Sequence, residues 1–80
     1  MKLPALRKLC QAHDLDTLRM LENELVEEQP LSHPVEGEDE GEKLTHILGA
    51  IWIHEQVQAN GTDLKAELRN FSNRVRNSIG

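Results

Sequence analysis

The stretch Leu44-Thr45-His46-Ile47-Leu48-Gly49-Ala50-Ile51-Trp52-Ile53-His54-Glu55-Gln56-Val57 decides how this chain folds. At the helical step of about 100° per residue, Leu44, Ile47, Leu48, Ile51 and Trp52 fall on one arc, and Ala50, Ile53 and Val57 fall on another. A helix that is apolar on two sides must be enclosed by other elements or shared with a second subunit, so the pattern predicts a central helix near residues 42–60. Asn60-Gly61 is a strong stop, because glycine takes the left-handed conformation that closes a helix.

Beyond that stop, Thr62 or Asp63 caps a further helix with Leu64, Leu68, Phe71, Val75 and Ile79 on one stripe. Upstream, Pro4 suits the first turn of a short basic helix carrying Leu3, Leu6, Leu9, Cys10 and Ala12. His13-Asp14 interrupts it, and Asp14 caps a second helix with Leu15, Leu18, Leu21 and Leu25 in register, ending near Glu28. Pro30, His33-Pro34 and Gly37 then punctuate an acidic loop near residues 29–41. No run alternates polar and apolar residues over the length of a strand. The expected architecture is all-α: one domain over residues 1–80, a compact three- to four-helix bundle around the helix near 42–60.

Nine Lys or Arg against fourteen Asp or Glu leave the 80 residues at −5. The charge is uneven: residues 1–13 carry +3, residues 14–42 carry −10 and residues 43–80 carry +2. With one Phe, one Trp and no Tyr, the chain lacks platforms for stacking bases, and its acidity opposes phosphate, so nucleic acid is disfavoured as a partner. The opening Met1-Lys2-Leu3-Pro4-Ala5 meets Arg7 and Lys8 before any apolar run, unlike a secretory signal, and no stretch reaches membrane-spanning length. Cys10 is the lone cysteine, which excludes an intrachain disulfide and fits a cytoplasmic address, with the thiol an inert small hydrophobe.

Several fragments approach known chemistry and stop short. Glu36, Glu38 and Glu40 followed by Gly41 imitate the first half of a calcium loop, but Ile47 stands where the bidentate glutamate belongs. His54-Glu55-Gln56-Val57-Gln58 is one residue from the zinc-protease pattern, with Gln58 in place of the second histidine. The four histidines form no evident ligand set, and His46 reads as a satisfied histidine at a packed boundary. Glu22 and Glu55 project within apolar stripes, a placement that calls for a basic partner or an exit from the core. Ser32, Ser72 and Ser78 have no elbow or oxyanion-hole context. No cofactor or metal is implied, and the chain reads as something other than an enzyme.

The remaining candidates are surfaces. Ile53 and Val57, with Trp52 beside them, either pack inside a single-chain bundle or face a second subunit, which periodicity does not separate. The dimer is the expectation adopted, since burying two such side chains between subunits would supply roughly 3 to 6 kcal/mol per chain before association costs. Lys65, Arg69 and Arg76 share one side of the last helix, with Asn73 alongside.

Met1-Lys2-Leu3-Pro4, the Leu48-Gly49-Ala50-Ile51-Trp52-Ile53-His54-Glu55 stretch and the closing Phe71-Ser72-Asn73-Arg74-Val75-Arg76-Asn77-Ser78-Ile79 resemble a family of small uncharacterised bacterial proteins. The likeness spans nearly the whole chain and brings no established activity, cofactor or site residue. It implies a helper role in thiol-redox or stress physiology, beside thioredoxin-like and peroxiredoxin-like proteins. The expected function is a non-catalytic interaction or regulatory module with an unknown protein partner, as a homodimer. The alternative is a nucleic-acid- or translation-associated factor using Lys65, Arg69, Arg74 and Arg76.

Overall fold

A computed structural model describes the backbone of residues 2–79 and the side chains of residues 2–76. It contains four helices: α1 (Leu3–Ala12), α2 (Leu15–Val26), α3 (Glu40–Asn60) and α4 (Leu64–Ile79). Among the described residues there is no strand, so the all-α expectation holds. Ile79, the last member of the α4 stripe, and Met1 lie outside the residues whose side chains are described.

Local chemistry sets the helix ends. Asp14 accepts the Thr17 N–H at 2.9 Å, and Asp63 accepts the Ala66 N–H at 2.8 Å, each satisfying an orphan donor of a first turn. Asp39 does the same for Glu42 at 2.7 Å, while the Glu42 carboxylate reaches back to the Glu38 N–H at 3.1 Å. This double cap starts α3 at Glu40, so the acidic loop closes two residues earlier than its composition suggested. Gly61, at φ 63°, ends α3 in the left-handed conformation, and the N–H groups of Gly61 and Thr62 both return to the Val57 carbonyl.

The end of α2 closes in a related way on a costlier residue, its two N–H groups returning to two different carbonyls. Gln29 N–H returns to the Glu24 carbonyl and Glu28 N–H to the Leu25 carbonyl, with Glu28 itself at φ 57°. A side chain in the left-handed region costs about 1–2 kcal/mol. Glu28→Gly is therefore expected to raise the thermal midpoint, with a gain of about 1 kcal/mol in urea unfolding. An unchanged or lowered midpoint would remove this account of the α2 end.

Two histidines of α3 place α1. His46 Nε2 accepts the Lys2 backbone N–H at 3.0 Å, and His54 donates from Nε2 to the Cys10 carbonyl at 3.0 Å. Each pair is separated by 44 residues, so α1 runs parallel to α3 with its start on His46 and its end on His54. By contrast, α2 and α4 are antiparallel to α3. Arg19 pairs with Glu55 near one end of α3 while Leu25 borders a cleft with Glu40 and Lys43 near the other, and the short 61–63 turn brings Phe71 back to Trp52. Gly49 permits the closest crossing: a Cβ there would stand 3.0 Å from Leu6 and 3.6 Å from Phe71, so three helices meet at one bare backbone position.

The result is a slab of 33 × 29 × 16 Å, about two helices thick. Helices α2, α3 and α4 lie side by side with α3 in the middle, touching all three other helices. On one side α1 lies across α3 and α4, and Val35 of the preceding segment is buried there. The core joins Leu6, Leu9, Cys10, Leu15, Leu18 and Leu21 to Ile47, Ala50, Ile51 and Ile53.

This arrangement corrects one expectation. Ile53 is 0% exposed and belongs to the core of the single chain, and Val57 is half-buried, so Ile53 does not face a second subunit. The arc assigned to the outside is the one α1 covers. Leu48, assigned to the inner arc, is 46% exposed.

Candidate functional site

The uncovered side of the helical layer is centred on Leu48. His46, Ala50 and Ile53 turn toward α1, and half a turn around the helix from them stand Leu44, Leu48 and Trp52. Trp52 is half-buried against Phe71, with ring centroids 5.7 Å apart, and the Arg74 guanidinium lies 5.2 Å from the indole centroid. On the other flank, the Arg19–Glu55 ion pair at 3.2 Å marks the same face. Leu48 is 46% exposed and Trp52 stands one turn further along, so the face carries an apolar strip of Leu48 and Trp52 flanked by the Arg19–Glu55 pair and Arg74, while Val26, 62% exposed, stands at the end of α2 toward the start of α3.

A second surface lies along the edge where α1 meets α4. Its groove encloses 620 Å³, with Leu64 and Leu68 on the floor and Lys65, Arg69, Ser72, Asn73 and Arg76 along α4. Arg7 and Gln11 of α1 form the opposite wall. No acidic side chain lines it, and Arg7, Lys65, Arg69 and Arg76 take no part in the ion pairs among the described residues. The structure thus unites the three cations expected on one side of the last helix and adds Arg7, about sixty residues away in sequence. Arg74 is separated from them on the opposite flank, over Trp52.

Other candidates resolve into structural roles. His46 is 1% exposed and uses both ring nitrogens: Nδ1 donates to the Glu36 carbonyl at 2.8 Å while Nε2 accepts from Lys2. This requires the neutral ring with its proton on Nδ1, and it fastens the 36–38 segment to the start of α1. The exposed pairs Lys8–Glu36 and Lys2–Glu38 frame that junction and add little to stability. Beneath it, a 300 Å³ cleft runs along Ala5, Leu9 and Val35. Glu55 has its basic partner in Arg19, and Glu22 is half-buried.

Glu67, which no motif singles out, is the buried carboxylate among the described residues, at 2% exposure. Thr62 donates its hydroxyl to it, and Asn60 and Asn70 donate amide hydrogens, so one side chain ties the α3–α4 turn together. The Thr62 bond, ahead of the two amides, holds its pKa below the ordinary 4.5. The turn gains from this at neutral pH and loses it as pH falls through that lowered value. The signal available in sequence was Asn60, Thr62 and Asn70 gathered around one glutamate.

Burial pushes the Cys10 thiol up to about 12, leaving it protonated and unreactive at neutral pH. His13 and His33 do meet, with ring centroids 4.7 Å apart. Among the described residues, however, no three His, Cys, Asp or Glu side chains gather as metal ligands would. Nor is any described helix long and apolar enough to cross a membrane.

Fold and surfaces together define a small all-α chain with one bare apolar face and one cationic groove. The chain belongs to a family of unknown function, DUF6952, which it matches over residues 1–80. Comparison with curated proteins and with solved structures gave no match.

Proposed function

We propose that this chain is a non-catalytic protein-interaction module that works as a symmetric dimer joined through the outward face of α3. The observation that carries the reading is the one-sided covering of the helical layer: α1 seals one face of α3 and leaves Leu48 exposed on the other, with Trp52 half-buried beside it. The slab outline of 33 × 29 Å is large enough for the roughly 800 Å² per partner of an ordinary stable interface. Its surface of 5275 Å² exceeds the roughly 4,900 Å² expected of a compact 9.1 kDa monomer. The Arg19–Glu55 pair on this face is neutral as a whole, so it adds no net repulsion between two copies.

The setting that accords with a lone, enclosed thiol is the cytoplasm. A role beside thiol-redox or stress proteins is carried in this reading by surface contact, because the Cys10 thiol stays protonated. Sedimentation at micromolar concentration tests the dimer. The wild type is expected at twice the chain mass, and Leu48→Glu at the chain mass with its helical circular dichroism intact. A monomeric wild type across that range, or a Leu48→Glu dimer, would overturn the proposal.

A further inference from the structure

We infer that the groove between α1 and α4 receives an acidic amphipathic helix of a partner protein. The spacing of its cations carries the argument. Lys65, Arg69 and Arg76 occur on one edge of α4 over eleven residues, roughly 16 Å or three helical turns, and Arg7 faces them from α1. A single phosphate or carboxylate engages one or two of these groups. A helix of three turns, with carboxylates four and seven residues apart, engages the whole row.

The floor selects further. Leu64 and Leu68 are half-buried in the groove and offer a seat for apolar anchors between the charged edges. A phosphodiester backbone has nothing to place there, and the groove holds no aromatic ring on which a base could stack. Ser72, Asn73 and Gln11 supply hydrogen bonds at the rim.

The chain's own acids do not fill the groove. Eleven of them lie in residues 14–42, and among the described residues α2 touches neither α1 nor α4. Of those outside α2, Glu36 and Glu38 are paired with Lys8 and Lys2 beside α1, and at physiological ionic strength charges more than about 8 Å apart are largely screened, so the acids of α2 do little to repel an acidic partner.

The test uses the full chain and a fluorescein-labelled helical peptide of fifteen residues, with leucines on one stripe and glutamates flanking it, read by anisotropy. Binding is expected to weaken at least tenfold in Lys65→Glu/Arg69→Glu and, independently, in Arg7→Glu from the other wall. It is expected to persist in Leu48→Glu, which separates this site from the dimer face. A peptide with lysine for glutamate is expected not to bind. Peptide binding indifferent to all three charge reversals, or a fifteen-base-pair duplex bound as tightly as the acidic peptide and lost with the same reversals, would overturn the assignment.

Discussion

Ile53→Ala is expected to lower the stability of the single chain by about 2–5 kcal/mol, the range for truncating a fully enclosed large aliphatic side chain. A domain of this length has a total of about 4–12 kcal/mol to lose, so the variant should begin to unfold at low urea. The physical reason is the parallel seat of α1. His46 and His54 hold both ends of α1 on the arc that includes Ile53, and deletion of three carbons there leaves a hole that the pinned helix closes only in part. The measurement is equilibrium urea unfolding by circular dichroism in the Leu48→Glu background, where association plays no part. A loss under about 0.5 kcal/mol in that monomeric background would refute the packing described here.

His46→Leu ranks second. It keeps an apolar side chain of suitable length in a buried position but removes the acceptor for the Lys2 N–H and the donor for the Glu36 carbonyl. Each backbone group left unpaired inside the protein costs about 1–3 kcal/mol. Hydrogen exchange should therefore accelerate most in the first turn of α1 and at residues 36–38, ahead of α2. His54→Leu gives the internal comparison: His54 is only half-buried and serves one carbonyl, so its loss is expected to be smaller. Equal effects of the two substitutions, or exchange that rises uniformly across all helices, would mean that His46 is a filler rather than a fastener.

What the sequence made legible was mostly local. Asp14 and Asp63 announce helix starts because a cap is settled within three residues, and Gly61 announces a stop for the same reason. The middle position of α3 followed from its two apolar arcs. Which arc lay outward did not, because the wheel of a helix apolar all round looks alike from both sides; only the tertiary partners of His46 and His54, each 44 residues distant, break the tie. Leu48 and Ile53 were exchanged on that account. Lys65, Arg69 and Arg76 were visible as one side of α4, whereas Arg7 enters through a long-range crossing that periodicity does not encode. Glu67 was hidden differently: a turn folds back on it and converts an ordinary exposed-type residue into a buried one.

The sealed thiol of Cys10 also makes the chain its own clock. A thiol reagent added to the native protein meets Cys10 only in molecules whose first helix has lifted away, since the closed state offers neither access nor thiolate. At reagent concentrations high enough for labelling to outpace reclosing, its rate counts openings of α1 against α3, at the parallel seat that His46 and His54 define.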